Sequence, residues 1–391
     1  MNSRSAPSKF RQTSGIAAMA CVVVLAAAGC SSKSTIATST AAPAAAAGTT
    51  TGGGASSSPG TGGKVKVALV LGLTANPFMQ EVSVGSQDAA DELGGTLTIT
   101  GPPAPNPTVG VNELKQVVAQ GMAGVSIMQL PATLWSKGIS DAAAKTKVNT
   151  INTLPVQGSK GAETYIGIND AEASTTLLDH LFTTLGANPT GEVVLGTCIP
   201  GVSALDTRTA TYVSYLKAKA PNVKVIGPLT TTTDPSKNLS TWQQAYAAHP
   251  KALAYIGNCD NDGPSLGRMH QQHPGKYLTA TFDVDPSSLT SIKGGSLTAA
   301  IDESPYARGY LATAALILQA QGKPAITGFI NVKGVLVTPA NVDAIIAREA
   351  TPTTIRAGFA GSLKAFLANS SAGGGPVALE PIANAYKGAV E

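Results

Sequence analysis

The chain has 391 residues, of which 43% are hydrophobic, 13% charged and 5% aromatic, with 42 glycines and 25 prolines. At about 100–200 residues per domain this is enough for roughly two domains with substantial cores, and it excludes a coiled coil, a polyelectrolyte tail and a wholly disordered chain. The formal net charge is +4; three of those positives, Arg4, Lys9 and Arg11, lie in a segment expected to be removed, so the remainder is close to neutral and nothing in the charge points to nucleic acid.

Residues 1–29 have the pattern of an export signal, with those three positive residues ahead of an uncharged, mostly apolar run from Gly15 to Ala28. That run is too short to span a bilayer, which takes about 20 apolar residues. The segment Leu25-Ala26-Ala27-Ala28-Gly29-Cys30 resembles a bacterial lipobox, in which small residues precede a cysteine that becomes the lipidated N-terminus. Ala27 stands where leucine is commonest, and an ordinary cysteine near an Ala-x-Ala cleavage site is the alternative. Residues 30–63 are almost entirely Ser, Thr, Ala, Gly and Pro, a flexible tether. The expectation is an extracytoplasmic body anchored to the cell membrane through lipid on Cys30, with stable anchoring requiring more than one acyl chain.

From Lys64 the chain alternates short apolar, β-rich runs with helical periodicity. Strands are expected at Lys64–Leu71, Thr96–Thr100, Gly124–Gln129, Val148–Asn152 and Thr164–Ile168, with helices after Asn76-Pro77 and near Val109–Gln120 and Leu134–Lys145. A second series starts at Asp170, read as a helix cap, and places strands at Glu192–Cys198, Val223–Pro228, Ala252–Cys259, Tyr277–Phe282 and Ser296–Ile301. Helices begin near Ser203, Ser236, Gly263 and Pro286, and Ser304-Pro305 reads as a cap and first turn of a long apolar helix ending at Gly322. Such alternation gives parallel sheets covered on both faces, and two series give two doubly wound lobes whose ligand site lies beyond the C-terminal strand ends. Cys198 and Cys259 each end a strand; if those strands are neighbours a disulfide is open to them in an oxidising compartment, and two buried free thiols are the alternative.

The order and spacing of Thr74-Ala75-Asn76-Pro77-Phe78, Tyr165–Asp170, Gly201-Val202-Ser203 ahead of Arg208, Ile256-Gly257-Asn258, Phe282-Asp283 and Ala300–Pro305 are similar to those of type I periplasmic solute-binding proteins of ABC transporters, in the ribose-binding branch. The resemblance runs from about Val65 to Val337. It implies an α/β fold of two doubly wound parallel-sheet lobes joined by a three-strand hinge, crossing near Ile168–Asn169, Glu303–Ser304 and Ile330–Lys333. The lobes would be residues 64–168 plus 304–330 and residues 169–303 plus 331–365, with 366–391 a peripheral tail. It also implies a monomer that closes on a small sugar, polyol or related polyhydroxylated metabolite and presents it to permease subunits, without cofactor or metal.

The ligand set implied by the resemblance is Asn76, Phe78, Met79, Gln129, Arg208, Asn258, Asp283 and Glu303. The chemistry fits: hydroxyls both donate and accept, so a buried site must answer them with carboxylates, amides and guanidinium, while Phe78 offers an apolar face to a sugar ring. Asn76 also reads as a helix cap, Phe78 as core, Asp283 as a loop acid, and Arg208 as a surface partner of Asp206 or Glu192. The chain departs from the family where Leu154-Pro155 replaces an Asp-Arg pair and where Met79 and Thr233 replace aromatics; Trp135 and Trp242 are candidates to restore stacking. An enzyme finds little support. Leu205 breaks a nucleophile elbow at Gly201-Val202-Ser203, Gly63-Lys64 lacks a phosphate cradle, and His270 and His273 lack nearby acidic or cysteine partners. A ligand sensor for a membrane signalling partner is the other alternative.

Overall fold

In the computed structural model of the chain, residues 63–130, 134–155, 160–370 and 376–389 are described. The export signal, Cys30 and all of the tether but Gly63 lie outside the described residues. The first series comprises β1 (Val65–Val70), α1 (Pro77–Glu92), β2 (Gly95–Thr100), α2 (Pro107–Ala119), β3 (Gly124–Ile127), α3 (Trp135–Ala143), β4 (Lys147–Ile151) and β5 (Thr164–Gly167). The second comprises α4 (Asp170–Leu185), β6 (Gly191–Thr197), α5 (Ser203–Lys219), β7 (Val223–Thr230), α6 (Pro235–Ala248), β8 (Ala254–Ile256), α7 (Asp262–Gln272), β9 (Leu278–Phe282), α8 (Pro286–Lys293) and β10 (Ala299–Asp302). The chain then runs through α9 (Pro305–Ala320), β11 (Gly328–Val332), β12 (Val335–Val337), α10 (Val342–Glu349), α11 (Pro352–Ala368) and β13 (Val377–Glu380).

Among the described residues the strands form one seven-stranded sheet, β13-β11-β5-β4-β3-β1-β2, and one six-stranded sheet, β12-β10-β9-β8-β6-β7. All pairings are parallel except the edge pairs β11–β13 and β10–β12. Leaving β11, β12 and β13 aside, each lobe has the order second, first, third, fourth, fifth strand, so the direction of winding reverses between β1 and β3 in one and between β6 and β8 in the other. Ligand sites of open α/β sheets sit at such reversals.

Local sequence explains most boundaries. Asn76 is extended and its side chain accepts the Met79 N–H at 2.9 Å, with Pro77 in the first turn, so α1 starts where the strand-end loop stops. The cap of α4 is Asn169, which accepts the Glu172 N–H at 3.0 Å, and Asp170 is the first helical residue, a one-residue correction that frees the Asp170 carboxylate for an ion pair. Ser304 does not cap α9 through its side chain; it sits at φ 51°, and its N–H donates to Asp302 Oδ1 at 2.7 Å. Helix α9 is buried on nearly every side because it is packed between the first sheet and α1. The crossing is close enough to require glycine: a Cβ on Gly85 would lie 2.0 Å from the Tyr306 carbonyl oxygen, and one on Gly309 1.9 Å from that of Val82.

The chain passes between the sheets after β5, after β10 and after β11, the last at Lys333–Gly334 because β11 stays in the first sheet through Val332. A fourth passage corrects the expectation for the C-terminal part. Helix α10 packs on α8 of the second lobe, but α11 returns to the first, where Phe359, Leu363 and Phe366 join its core and Phe359 stacks on Tyr306 with centroids 5.6 Å apart. The tail beyond Phe366 adds β13 to the first sheet, so residues 352–368 and 376–389 belong with the first lobe rather than with the second or with a loose periphery. Among the described residues no helix is long and apolar enough to cross a membrane.

Candidate functional site

The loops after β1, β3, β6 and β8 converge on a cleft between the lobes. Because β6 and β8 are paired, with Leu195 opposite Ile256, the residues that follow them are close, and Cys198 and Cys259 are joined as a disulfide with Cα atoms 6.3 Å apart. Both cysteines line the cleft. Two hydrogen bonds tie its rims together: Asn76 Nδ2 of the first lobe donates to Asp260 Oδ2 of the second at 2.9 Å, and the Leu154 N–H donates to Ser203 Oγ at 3.2 Å.

The centre of the cleft is a buried charge network. Glu303 bridges two guanidinium groups, taking Arg208 Nη2 and Arg308 Nη2 at 2.6 Å each, with the three side chains 2%, 4% and 1% exposed respectively. Arg208 also donates through Nε to Asp170 at 2.7 Å and through Nη1 to the Asn258 carbonyl at 2.9 Å, and its plane lies 3.9 Å from the Phe282 ring centroid. Arg308 donates through Nη1 to Asn152 Oδ1 at 3.1 Å and lies 5.6 Å from the centre of the Phe78 ring. Burial works against the charge on Arg208, but Glu303, Asp170 and Asp283 outweigh it and raise its pKa. Burial likewise pushes Glu303 up, yet Arg208 and Arg308 hold it below its ordinary value. The network spans both lobes: Arg208 stands on α5, Arg308 on α9, and Glu303 on the hinge segment between them.

Asp283 is different. Burial, then the charges of Glu303 and Asp260, raise its pKa well above the usual range against the pull of Arg208 and Arg308, which favours the neutral acid. Its Oδ1 is buried and has no protein partner, as are Thr153 Oγ1 and Arg308 Nε, all on residues that line the cleft. Among the described residues the positive-φ positions other than glycine are Asn152, Thr232, Asp283 and Ser304, each lining the cleft or adjacent to a residue that does. Sparsely populated backbone gathered at one place marks a site whose geometry the surrounding fold enforces.

Of the residues expected in the site, Asn76, Phe78, Met79, Arg208, Asp283 and Glu303 line the cleft. Asn76 combines its cap with the cross-lobe bond to Asp260. Arg208 is buried on Asp170 and Glu303, not on the surface with Asp206 or Glu192; Asp206 instead accepts the Gly201 N–H at 3.0 Å. Gln129 and Asn258 stand behind the wall. Gln129 Nε2 holds the Thr153 and Leu154 carbonyls, and Asn258 Nδ2 reaches Thr197 Oγ1, the Leu205 carbonyl and Thr209 Oγ1 at 3.0–3.1 Å. Trp135 and Trp242 are buried away from the cleft, Trp242 donating to Asp262 Oδ1 at 2.9 Å, so neither supplies stacking. His270 and His273 pack on Tyr277 and Tyr246.

Sequence reasoning missed Arg308, Asn152, Thr153 and Asp260. Arg308 had a signal, being the lone charge in the mostly apolar run Tyr306–Ala320, where burial without a partner would be prohibitive. The other three had none short of knowing which loops meet.

Two doubly wound lobes closing polar strand ends over a cleft define a binding protein rather than a single-lobed nucleotide fold. The profile of the periplasmic binding protein domain matches residues 67–324, and the chain belongs to that family. It is similar to the xylose/arabinose-binding protein XylF of Sulfolobus acidocaldarius, 23% identical over 65% of this chain and 65% of that protein, just under two thirds of its length. It is also similar to the ribose import binding protein RbsB of Salmonella typhimurium, 28% identical over 62% of this chain and 80% of that one. Among solved structures, an ABC transporter solute-binding protein of Burkholderia graminis in complex with D-arabinose superposes with a TM-score of 0.67 at 24% identity, covering 71% of this chain and 96% of that one. At that identity the likeness establishes the fold, a type I arrangement of two mostly parallel α/β lobes.

Proposed function

We propose that the chain is an extracytoplasmic solute-binding protein that captures a small sugar, polyol or related polyhydroxylated metabolite between its lobes and delivers it, unchanged, to an ABC permease. The observation that carries this is the set of buried polar atoms without protein partners on residues lining the cleft: a carboxyl oxygen on Asp283, a donor on Arg308 and a hydroxyl on Thr153. A hydroxyl group donates and accepts at once, so a polyol can answer all three, and leaving such groups buried and unanswered costs about 1–3 kcal/mol each. The named ligands of the relatives, xylose, arabinose and ribose, belong to the same chemical class.

The binding cycle follows from the connections. Closure brings Asn76 to Asp260 and Leu154 to Ser203 across the cleft, while Glu303 on the hinge stays bonded to an arginine from each lobe. A solute bound to both walls shifts the lobes toward this closed arrangement, the form a permease would recognise. Lipid on Cys30 and the tether after it would hold a monomeric body at the membrane; the small-residue run before Cys30 supports this. The test is a thermal-shift screen of the full chain against sugars, polyols and amino acids, since a ligand of the folded state raises stability with its excess over Kd. A shift from a carbohydrate that is recovered chemically unchanged supports the proposal; a shift from amino acids alone, or turnover of the bound compound, contradicts it.

A further inference from the structure

The cleft has two chemically distinct sides. On one, Asn152, Arg208, Asp283, Glu303 and Arg308 gather around the hinge. The other consists of Leu73, Met128 and Leu130 of the first lobe, clustered with Ile199, Val202, Leu205 and the disulfide of the second, and it meets the polar side where Asn152 Nδ2 donates to Met128 Sδ at 3.8 Å. These apolar residues belong to, or pack against, one hydrophobic cluster that runs from the core of the first lobe across the cleft into the second. The polar groups at the cleft mouth do not soften this side: the Asn76 amide is taken by the Met79 N–H and Asp260, and Asp260 by Asn76 and the Asn261 N–H.

We infer that the solute is two-sided as well, a small sugar or polyol with one hydroxylated edge and an opposite edge that is deoxygenated or O-alkylated. This inference rests on the carbohydrate function proposed above and narrows it. The polar side offers the unpartnered atoms on Asp283 and Arg308, and Thr153, between Asn152 and the Leu154–Ser203 contact, adds a third where the two sides meet. The apolar side offers aliphatic side chains that can answer none. A hydroxyl forced against Val202 or Leu130 would give up its water without a replacement partner, whereas a methyl or methylene there removes apolar surface from water on both partners. An apolar wall rejects an added hydroxyl only modestly, by up to about a hundredfold, so the matched analogue should bind about ten- to a hundredfold tighter than its fully hydroxylated parent.

The experiment titrates the full chain calorimetrically with matched pairs: D-galactose and 6-deoxy-D-galactose, D-ribose and 5-deoxy-D-ribose, and each parent with its methyl glycoside. The expected result is a pair in which the deoxy or methyl member binds at least tenfold tighter. In Ile199→Thr, which keeps the β-branched shape while adding a hydroxyl partner at the wall and lies ahead of the α5 cap, that preference should shrink several-fold. Equal or tighter binding of the parent in every pair, or a preference unmoved by I199T, overturns the inference and leaves the carbohydrate function standing. Failure of every carbohydrate to bind, with another solute class binding, overturns both.

Discussion

Removing Glu303 perturbs the connection between the lobes most directly. Its two oxygens take one guanidinium from α5 and one from α9, all three side chains being buried. In Glu303→Ala, Arg208 keeps Asp170 and the Asn258 carbonyl, but Arg308 keeps only the Asn152 amide oxygen, so an uncompensated cation stays in the interior. Breaking a buried pair from one side costs about 3–5 kcal/mol. Arg308→Met should cost less, because Glu303 would still be paired with Arg208. The double variant removes the stranded charge along with its partner, so its loss should fall short of the sum of the two single losses by about 2 kcal/mol. Urea unfolding of the four proteins measures this coupling. Additive losses, or a Glu303→Ala cost below about 1 kcal/mol, would refute the assignment of Arg308 as the dependent charge.

Asp283→Asn should weaken solute binding by about 2 kcal/mol while leaving unfolding stability unchanged or raised, because Asp283 Oδ1 has no protein partner and Glu303 and Asp260 disfavour its charge; asparagine tolerates the φ of 72° at this position. Calorimetry and melting measured together separate the two effects, and a parallel loss of both would contradict the prediction. Stability should also fall with rising pH. Glu81 is pushed up from 4.5 to about 8 by burial and then by Glu349 and Asp302, and Asp260 from 3.8 to about 6 by burial, with Asp262, Asp285 and Glu303 adding to it. Both carboxyls hold protons more tightly folded than unfolded, so their contribution is complete below about pH 4 and is lost as pH passes through about 6 and about 8. The Tm of Glu81→Gln should therefore be flatter than that of the parent between these two values; identical profiles would reject the role of Glu81. Reducing the Cys198–Cys259 bond, which closes a sequence separation of 61 residues, should lower unfolding stability by about 2–4 kcal/mol. Urea curves with and without reductant that superimpose would contradict this.

Much of the fold was legible because each signal was local. Alternating apolar runs and helical spacing located the strands and helices of both series, and Asn76-Pro77 marked the start of α1 to the residue. The return of α11 and β13 to the first lobe was not legible: the stripe of Phe359, Leu363 and Phe366 announces an amphipathic helix but not which lobe it covers. Asn169 and Asp170 are both good caps, and only the backbone decides between them; once Asn169 takes the cap, Asp170 is free to pair with Arg208. The site was read to the depth that strand ends allow. Asp283 and Glu303 follow strand ends, and Arg208 stands in the second turn of the helix after β6, places that any doubly wound lobe turns toward its cleft. Asn258 sits on such a loop too, but the Thr197 and Thr209 hydroxyls draw its amide inward. Whether a strand-end side chain faces ligand or core is thus set by partners far away in sequence. For the same reason Arg308, anchored by Asn152 more than a hundred residues earlier, entered the site only with the structure.

The proposed function requires that this cleft bind a hydroxylated small solute through the polar groups around Glu303. A crystal structure of the chain with the carbohydrate identified by the thermal screen tests it most directly. The solute should lie enclosed between the lobes, with hydroxyls on Asp283, Arg308 and Thr153 and its carbon edge toward Val202 and Leu130. A solute bound outside the cleft, or one inside it that leaves Asp283 and Arg308 untouched, would contradict the claim.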